Sequence, residues 1–224
     1  MIKQILFIIY TVFVKIFAPK VKIRSSLIWG GSIACDKGNS LIIENATIKR
    51  TKITVGGSDN KVVLKSCQNN VSIICVGIGN EIILDECFIH NTSIVLRGNN
   101  CKVIIGKGTT INSADIICMG RENQLKIGEE CMLSSCIDIW NTDSHQITDI
   151  EGKAINDSKP VFIGNHVWVG KNVSILKGVN IGDNSVIGMG SIVTKDILPN
   201  TVNAGIPAKM IKNKINWNRK IVEK

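Results

Sequence analysis

The sequence predicts an all-β fold, a parallel β-helix wound from six-residue sides, on three observations. From Ile163 onward every sixth residue is aliphatic: Ile163, Val169, Ile175, Ile181, Ile187 and Val193. Glycine follows four of those six, at Gly164, Gly170, Gly182 and Gly188. The composition also lacks large rings, with 44% hydrophobic residues but only 4% aromatic. A period of six suits neither an α-helix nor an ordinary strand, whose side chains repeat with periods of about 3.6 and 2. It suits a three-sided prism in which each side points an aliphatic into the bore, stacked on the coils above and below. Glycine turns the tight corners of such a prism.

The first residues stand apart. Leu6 to Val14 is apolar and is flanked by Lys3, Lys15, Lys20, Lys22 and Arg24. The run is short for a membrane span, and Phe17-Ala18-Pro19 makes a poor signal-peptide cleavage site. We read residues 1–20 as an N-terminal apolar helix. Its apolar residues run all round, so it needs cover. It either caps the open end of the β-helix or lies on a membrane surface, with residues 1–18 in contact and lysines toward anionic head groups. A secretory signal is the third reading.

The β-helix is expected over residues 27–200. Five asparagine-anchored lines begin at Asn39, Asn60, Asn80, Asn100 and Asn123. Each step is one coil plus a small excursion at a Gly/Asn corner, and the asparagines should stack as a ladder of turn formers. Within these coils the six-residue step reappears as Ile83, Ile89, Val95, then Ile105, Ile111, Ile117, then Ile127, Leu133, Ile139. Cys67, Cys87 and Cys131 fall four residues past an aliphatic, in the small-residue slot beside a corner, and read as packing residues. The eight cysteines include no C-x-x-C, so neither a metal site nor a redox pair is expected. That many unpaired thiols indicate a reducing, cytoplasmic setting.

The frame then breaks. Between Ile139 and Ile163 the in-frame positions are His145, Glu151 and Asp157, which an apolar bore would not accept unpaired. Residues 141–160 therefore leave the prism as a polar loop, and a long loop in a tightly wound rod points to function. After Val193 the winding stops, and residues 201–224 read as a turn followed by a short basic helix whose Trp217 caps the last coil. The net charge of +9 suggests a polyanionic partner. No nucleic-acid recognition motif is present, so anionic lipid or a phosphorylated cofactor is preferred. Of the three histidines, His90 and His166 read as corner or surface residues, whereas His145 opens the extruded loop beside Asp143.

Several segments carry a family resemblance. They are Asp143-Ser-His145, a loop closing on Lys159-Pro160, Ile163-Gly-Asn-His-Val-Trp-Val-Gly170, Ile175-Leu-Lys-Gly-Val179, Ile181-Gly-Asp-Asn-Ser-Val-Ile-Gly188 and Ala204-Gly-Ile-Pro-Ala-Lys209. They resemble the left-handed β-helix acyltransferases, and more narrowly the sugar O-acetyltransferases that decorate capsule and lipopolysaccharide glycans. The likeness is close over residues 127–212, is only rhythmic over 27–126, and does not reach the first 20. It implies a left-handed coil, a homotrimer with sites in the clefts between prisms, and acetyl-CoA as acyl donor. His145 would act as general base on the acceptor hydroxyl, a task suited to imidazole. Its orienting partner would be Asp143 or a main-chain carbonyl. The Lys171 amide would donate to the thioester oxygen as charge develops. Trp168 would wall the pantetheine tunnel, with the Met189 amide bonding the pantetheine chain. Thr194 and Lys195 would lie along the path to the adenine, and Lys209 and Lys212 would face the nucleotide phosphates. Met189 replaces a usual alanine, and both phosphate-facing positions are lysine rather than arginine, which makes that contact less directional. Other acceptors (an amino sugar, serine, an antibiotic hydroxyl) and a non-catalytic scaffold are the competing readings. The expected location is the cytoplasm, with a peripheral contact at the inner membrane.

Overall fold

The computed structural model describes residues 9–10, 13–16 and 20–222. One face of the prism is a ladder of eight parallel strands, one per coil: Val21–Arg24, Ser40–Glu44, Lys61–Lys65, Glu81–Asp85, Lys102–Ile105, Gln124–Ile127, Val161–Ile163 and Asn180–Ile181. The other two faces form one continuous sheet, parallel except for its last strand. In the lower coils a single long strand bends across both of these faces, as in Leu27–Cys35, Thr47–Ser58, Gln68–Ile78 and Phe88–Asn99. Higher up each face has its own short strand, such as Trp168–Val169 and then Ser174–Ile175. At one edge a column of residues sits in the left-handed region, including Asn45 (φ 51°), Glu86 (φ 43°), Glu130 (φ 54°), His166 (φ 52°) and Asn200 (φ 57°). The coil turns there, and the asparagines in the column tolerate the conformation best.

The bore is filled in layers. Ile163, Val169, Ile175, Ile181, Ile187 and Val193 are all buried, at 3% exposure or less. Lower down the register departs from the period of six. Ile105, Ile111, Ile127, Leu133 and Ile139 face inward, but Ile83, Val95 and Ile117 do not. Their places are taken by the pairs Ile82 and Leu84, Ile94 and Leu96, and Ile116 and Cys118. Corner length is the cause. The corner from Ile89 to Thr92 takes three steps where the equivalent corner from Val169 to Val173 takes four, with Asn91 held at φ 39°. One residue more or less at a corner turns every following side chain to the other face.

The asparagine ladder is real over three rungs. Asn39 Oδ1 accepts from the Asn60 amide at 3.0 Å, Asn60 Oδ1 from the Asn80 amide at 2.9 Å, and Asn80 Oδ1 from the Cys101 amide at 2.9 Å. Asn100 is not a rung. It is exposed at φ 55° on the corner, and buried Cys101 takes the position in register with Asn123. Cys67, Cys87 and Cys131 are buried free thiols, as their slot requires.

Both expected terminal helices are corrected. Ile9–Tyr10 and Phe13–Ile16 are strands, paired in parallel with Leu27–Cys35. The β-branched and aromatic residues there continue the sheet below the first full coil. The remainder of the N-terminal segment lies outside the described residues, and with it the choice between cap and membrane contact. No helix among the described residues is long and apolar enough to cross a membrane. At the other end Thr201–Gly205 and Ala208–Asn213 form an antiparallel hairpin, and residues 214–222 contain no helix. Trp217 does not cap the last coil. It lies flat on His166, with ring centroids 4.2 Å apart and planes 5° from parallel, and its indole N–H donates to the His166 carbonyl at 2.8 Å. Arg219 pins the tail further down the same edge, donating to the carbonyls of Gly108 and Cys131 and to Thr110 Oγ1.

The ladder can be tested by substitution. Asn80→Ala removes the acceptor of the buried Cys101 amide and the donor to the Val76 and Gly98 carbonyls. It should cost about 1–3 kcal/mol in denaturant unfolding. Asn100→Gly, at the exposed corner, should change stability by less than about 0.5 kcal/mol.

Candidate active site

The strands stop at Trp140 and resume at Val161. The intervening chain leaves one edge of the prism through a pinned neck. The Asn141 side chain is fully buried, accepting from the Met119 amide at 2.7 Å and donating to the Met119 carbonyl at 3.0 Å. The Asn141 carbonyl accepts from the Lys159 amide at 2.9 Å, which closes the neck. Ser158 Oγ is held by Asn123 Nδ2 at 3.0 Å. Further out the loop folds on itself, with Ile155 N donating to Ile147 O at 2.9 Å and an antiparallel bridge between Thr148 and Ala154.

His145 sits on the exposed side of this loop, and its backbone is held from both ends. Its amide donates to the Asp143 carbonyl at 2.7 Å, and its carbonyl accepts from Asn156 Nδ2 at 2.8 Å. The neighbouring carboxylate does not orient the imidazole. Asp143 Oδ2 accepts from Lys177 Nζ and, at 2.9 Å, from Asn156 Nδ2. Lys177 Nζ also donates to the Asn156 carbonyl at 3.0 Å. The Lys177 ammonium, and then Asn156, hold the Asp143 carboxyl below the usual carboxylate range. Among the described residues the His145 ring has no hydrogen-bond partner, and the side chain is exposed. Lys177 and Asn156 were missed by sequence reasoning. Lys177 lies 34 residues from Asp143, and only the coil stacking brings the two together. The clamp borders a cavity of about 390 Å³, lined among others by Asp138, Trp140, Ser174 and Lys177.

The residues expected to hold a donor divide between two edges. Trp168, at 39% exposure, opens one side, and Lys171 and Met189 follow at the edge between the second and third faces. Neither the Lys171 nor the Met189 N–H donates to an acceptor among the described residues, so both are available to a ligand. A Cβ built on Gly170 would stand 2.7 Å from the Met189 nitrogen, so only glycine leaves that amide open. Lys209 pairs with Ala204 on the hairpin above this edge, and Lys212 pairs with Val202 beside it. Thr194 and Lys195 lie instead at the edge from which the loop emerges, following Ile192–Val193. His145 and Asp143 belong to this second edge too. Within one chain the base and the Lys171 amide therefore stand on different edges of the prism. His166 and His90, read as corner and surface residues, are found there: His166 under Trp217, and His90 exposed on the face below Trp168.

Known proteins resemble this chain in sequence and fold. Residues 160–195 match the family described as the hexapeptide repeat of succinyl-transferase. A stretch of 119 residues is 39% identical to the polysialic acid O-acetyltransferase of Escherichia coli O1:K1 / APEC, covering 53% of this chain and 38% of that protein. A stretch of 55 residues is 64% identical to the galactoside O-acetyltransferase of Escherichia coli K12, covering 25% of this chain and 27% of that protein. The chain thus aligns with less than half the length of either curated relative. Two solved structures match over nearly the whole chain. A polysialic acid O-acetyltransferase is 31% identical at a TM-score of 0.65, with 95% of this chain and 93% of that one covered. A polySia-specific acetyltransferase is 33% identical at a TM-score of 0.59, with 90% of each chain covered. The fold, the repeat and these likenesses define a left-handed β-helix protein. The chain belongs to the hexapeptide-repeat acetyltransferases.

The clamp carries a pH prediction. Because the folded pKa of Asp143 is depressed, its contribution is complete above the ordinary carboxylate pKa of about 3.9 and disappears as pH falls through the lowered value. Lys177→Met should return the Asp143 titration, followed by NMR, toward that ordinary value. It should also make the 141–160 loop more sensitive to protease at neutral pH, leaving the coil intact.

Proposed function

We propose that the protein is an acetyl-CoA-dependent O-acetyltransferase that acylates a hydroxyl of a sugar or surface glycan. The observation that carries this reading is a backbone-held histidine with a free ring on the extruded loop, in a chain whose Trp168 edge presents two unpaired amides. The donor fits the residues present. Gly170 leaves the Met189 amide open, Trp168 offers an exposed ring for the pantetheine chain, and Lys209 and Lys212 put positive charge where phosphates would lie. Thr194 and Lys195, on the loop edge, would extend that path toward the adenine from a neighbouring copy. Acetyl-CoA supplies the acetyl group as an activated thioester.

His145 takes the proton from the acceptor hydroxyl as its oxygen attacks the thioester carbonyl, and returns it to the departing sulfur. The Lys171 N–H donates to the carbonyl oxygen as negative charge builds there, a contribution that grows from ground state to transition state. Asp143 does not touch the imidazole. Through Lys177 and Asn156 it fixes the backbone from which His145 projects.

The two-edge geometry supports a shared site, with the loop of one copy meeting the Trp168 edge of the next, and hence a homotrimer. Free thiols at all eight cysteines fit a reducing cytoplasm. Residues 1–18, apolar with basic flanks, suit a peripheral contact with the inner face of the membrane.

Thiol release from acetyl-CoA over a panel of sugar, amino-sugar, serine and antibiotic acceptors is the test. Turnover should be fastest on a glycan hydroxyl. His145→Ala should lower kcat by about 10²- to 10⁴-fold with little change in the KM for acetyl-CoA. Full turnover by that variant would remove His145 from the mechanism.

A further inference from the structure

A groove runs down the face of the prism below Trp168, and apart from Trp168 at its upper end nothing in the proposed chemistry uses it. Two cavities make it up. The upper, about 600 Å³, is lined by Phe88, His90, Thr110, Asn112, Met132 and Trp168, among others. The lower, about 400 Å³, is lined by Trp29, Lys49, Arg50, Gln68, Asn70 and His90, among others. His90 lines both, and Phe88 of the upper pairs with Gln68 of the lower, so the two adjoin on neighbouring strands, and the upper end is the wall of the candidate donor site.

Register explains why these residues share one surface. Phe88 pairs with Thr110, Thr110 with Met132, and Met132 with Trp168, so their side chains rise in a single outward column. Trp29 pairs with Lys49 in a second column beside it. Seven strands separate the ends, counting both, from Leu27–Cys35 up to Trp168–Val169. At a spacing of about 4.8 Å per strand the groove is about 29 Å long.

Three features indicate what it holds. The exposed large aromatic side chains among the described residues are Trp29, Phe88 and Trp168, at 59%, 43% and 39%, and all three stand on this face. Neither cavity is lined by an aspartate or glutamate. The far end carries the cations Lys49 and Arg50, both exposed. Aromatic rings accept the apolar faces of sugar rings, amide and hydroxyl side chains such as Gln68, Asn70, Asn112 and Thr110 bond their hydroxyls, and Arg and Lys pair with carboxylates. A buried apolar partner would not need the cations, and a small acceptor would not need the length.

We infer that this face holds an extended, carboxylate-bearing glycan chain, anchored at Trp29, Lys49 and Arg50, while the unit being acetylated lies near Trp168. This rests on the O-acetyltransferase reading and extends it to the acceptor: a polymer held several units from the reacting hydroxyl. Remote binding of that kind raises the local concentration of acceptor hydroxyls at the site, and its ionic part weakens with salt.

The test uses the full-length protein, with polysialic acid fragments of short and long chain length as the acidic probes and a neutral galactan as control. Wild-type protein should prefer long acidic fragments. Trp29→Ala and the double variant Lys49→Glu/Arg50→Glu should raise the KM for long fragments by about tenfold. Their kcat, the KM for short fragments and the KM for acetyl-CoA should stay at wild-type values, which also reports that they fold. Equal effects on short and long fragments, no effect on either, or equal preference for the neutral galactan would overturn the inference. Direct titration by tryptophan fluorescence separates this from the enzymatic reading. Tight binding of long fragments that Lys49→Glu/Arg50→Glu abolishes supports the groove even if no thiol is released. Binding undiminished in the variant overturns it even if thiol release is brisk.

Discussion

Everything in this molecule depends on coil-to-coil stacking. Each inward side chain rests on the equivalent side chain one coil away, and each strand bonds in parallel to the strands above and below it. A bore filled in this way admits aliphatics, small thiols and a few polar side chains, most of them hydrogen-bonded, and nothing with an unpaired charge. Polar chain can leave only at an edge. The 141–160 loop leaves at one, and its neck is sealed where the fully buried Asn141 bonds both backbone groups of Met119. The loop is therefore rooted in the rigid part of the rod rather than trailing from it.

Stacking also brings distant residues together. Lys177 reaches Asp143 and Asn156 because its corner lies one coil above the neck, and that ammonium joins the loop to the coil at its charged centre. The same geometry places Gly170 against the Met189 nitrogen across one coil, keeping an amide open where a larger residue would cover it. On the opposite side of Trp168, Trp217 tilts against it at 5.9 Å while stacked on His166, so the tail buttresses the wall of the candidate donor site. Each contact joins residues far apart in sequence at a fixed coil offset.

Much of this was legible in the sequence where the repeat is uniform. The bore residues from Ile163 to Val193 and the break at His145 both follow from counting by six. The count failed where corners differ by a residue, which is why Ile83, Val95 and Ile117 face outward and why Cys101 rather than Asn100 continues the ladder. Periodicity carries no information on corner length, since Gly and Asn permit several turns. The terminal segments were misread as helices because short apolar or basic runs do not distinguish helix from strand. Sheet edges at each end of the rod decided the matter by offering strand partners. Asp143 was expected beside the His145 ring, but its carboxylate bonds Lys177 and Asn156 instead, partners that only coil stacking brings to it.

The central claim is that the loop base and the donor edge are separate features of one chain that meet only between copies. Subunit complementation measures this directly. One parent is His145→Ala. The other carries Trp168→Ala, Lys209→Glu and Lys212→Glu, all at exposed positions. Each parent alone should release almost no thiol from acetyl-CoA. After dissociation and reassociation of an equal mixture, activity should return, since some clefts then pair an intact loop with an intact donor edge. A mixture no more active than its parents, with mixed oligomers demonstrated, would contradict the account.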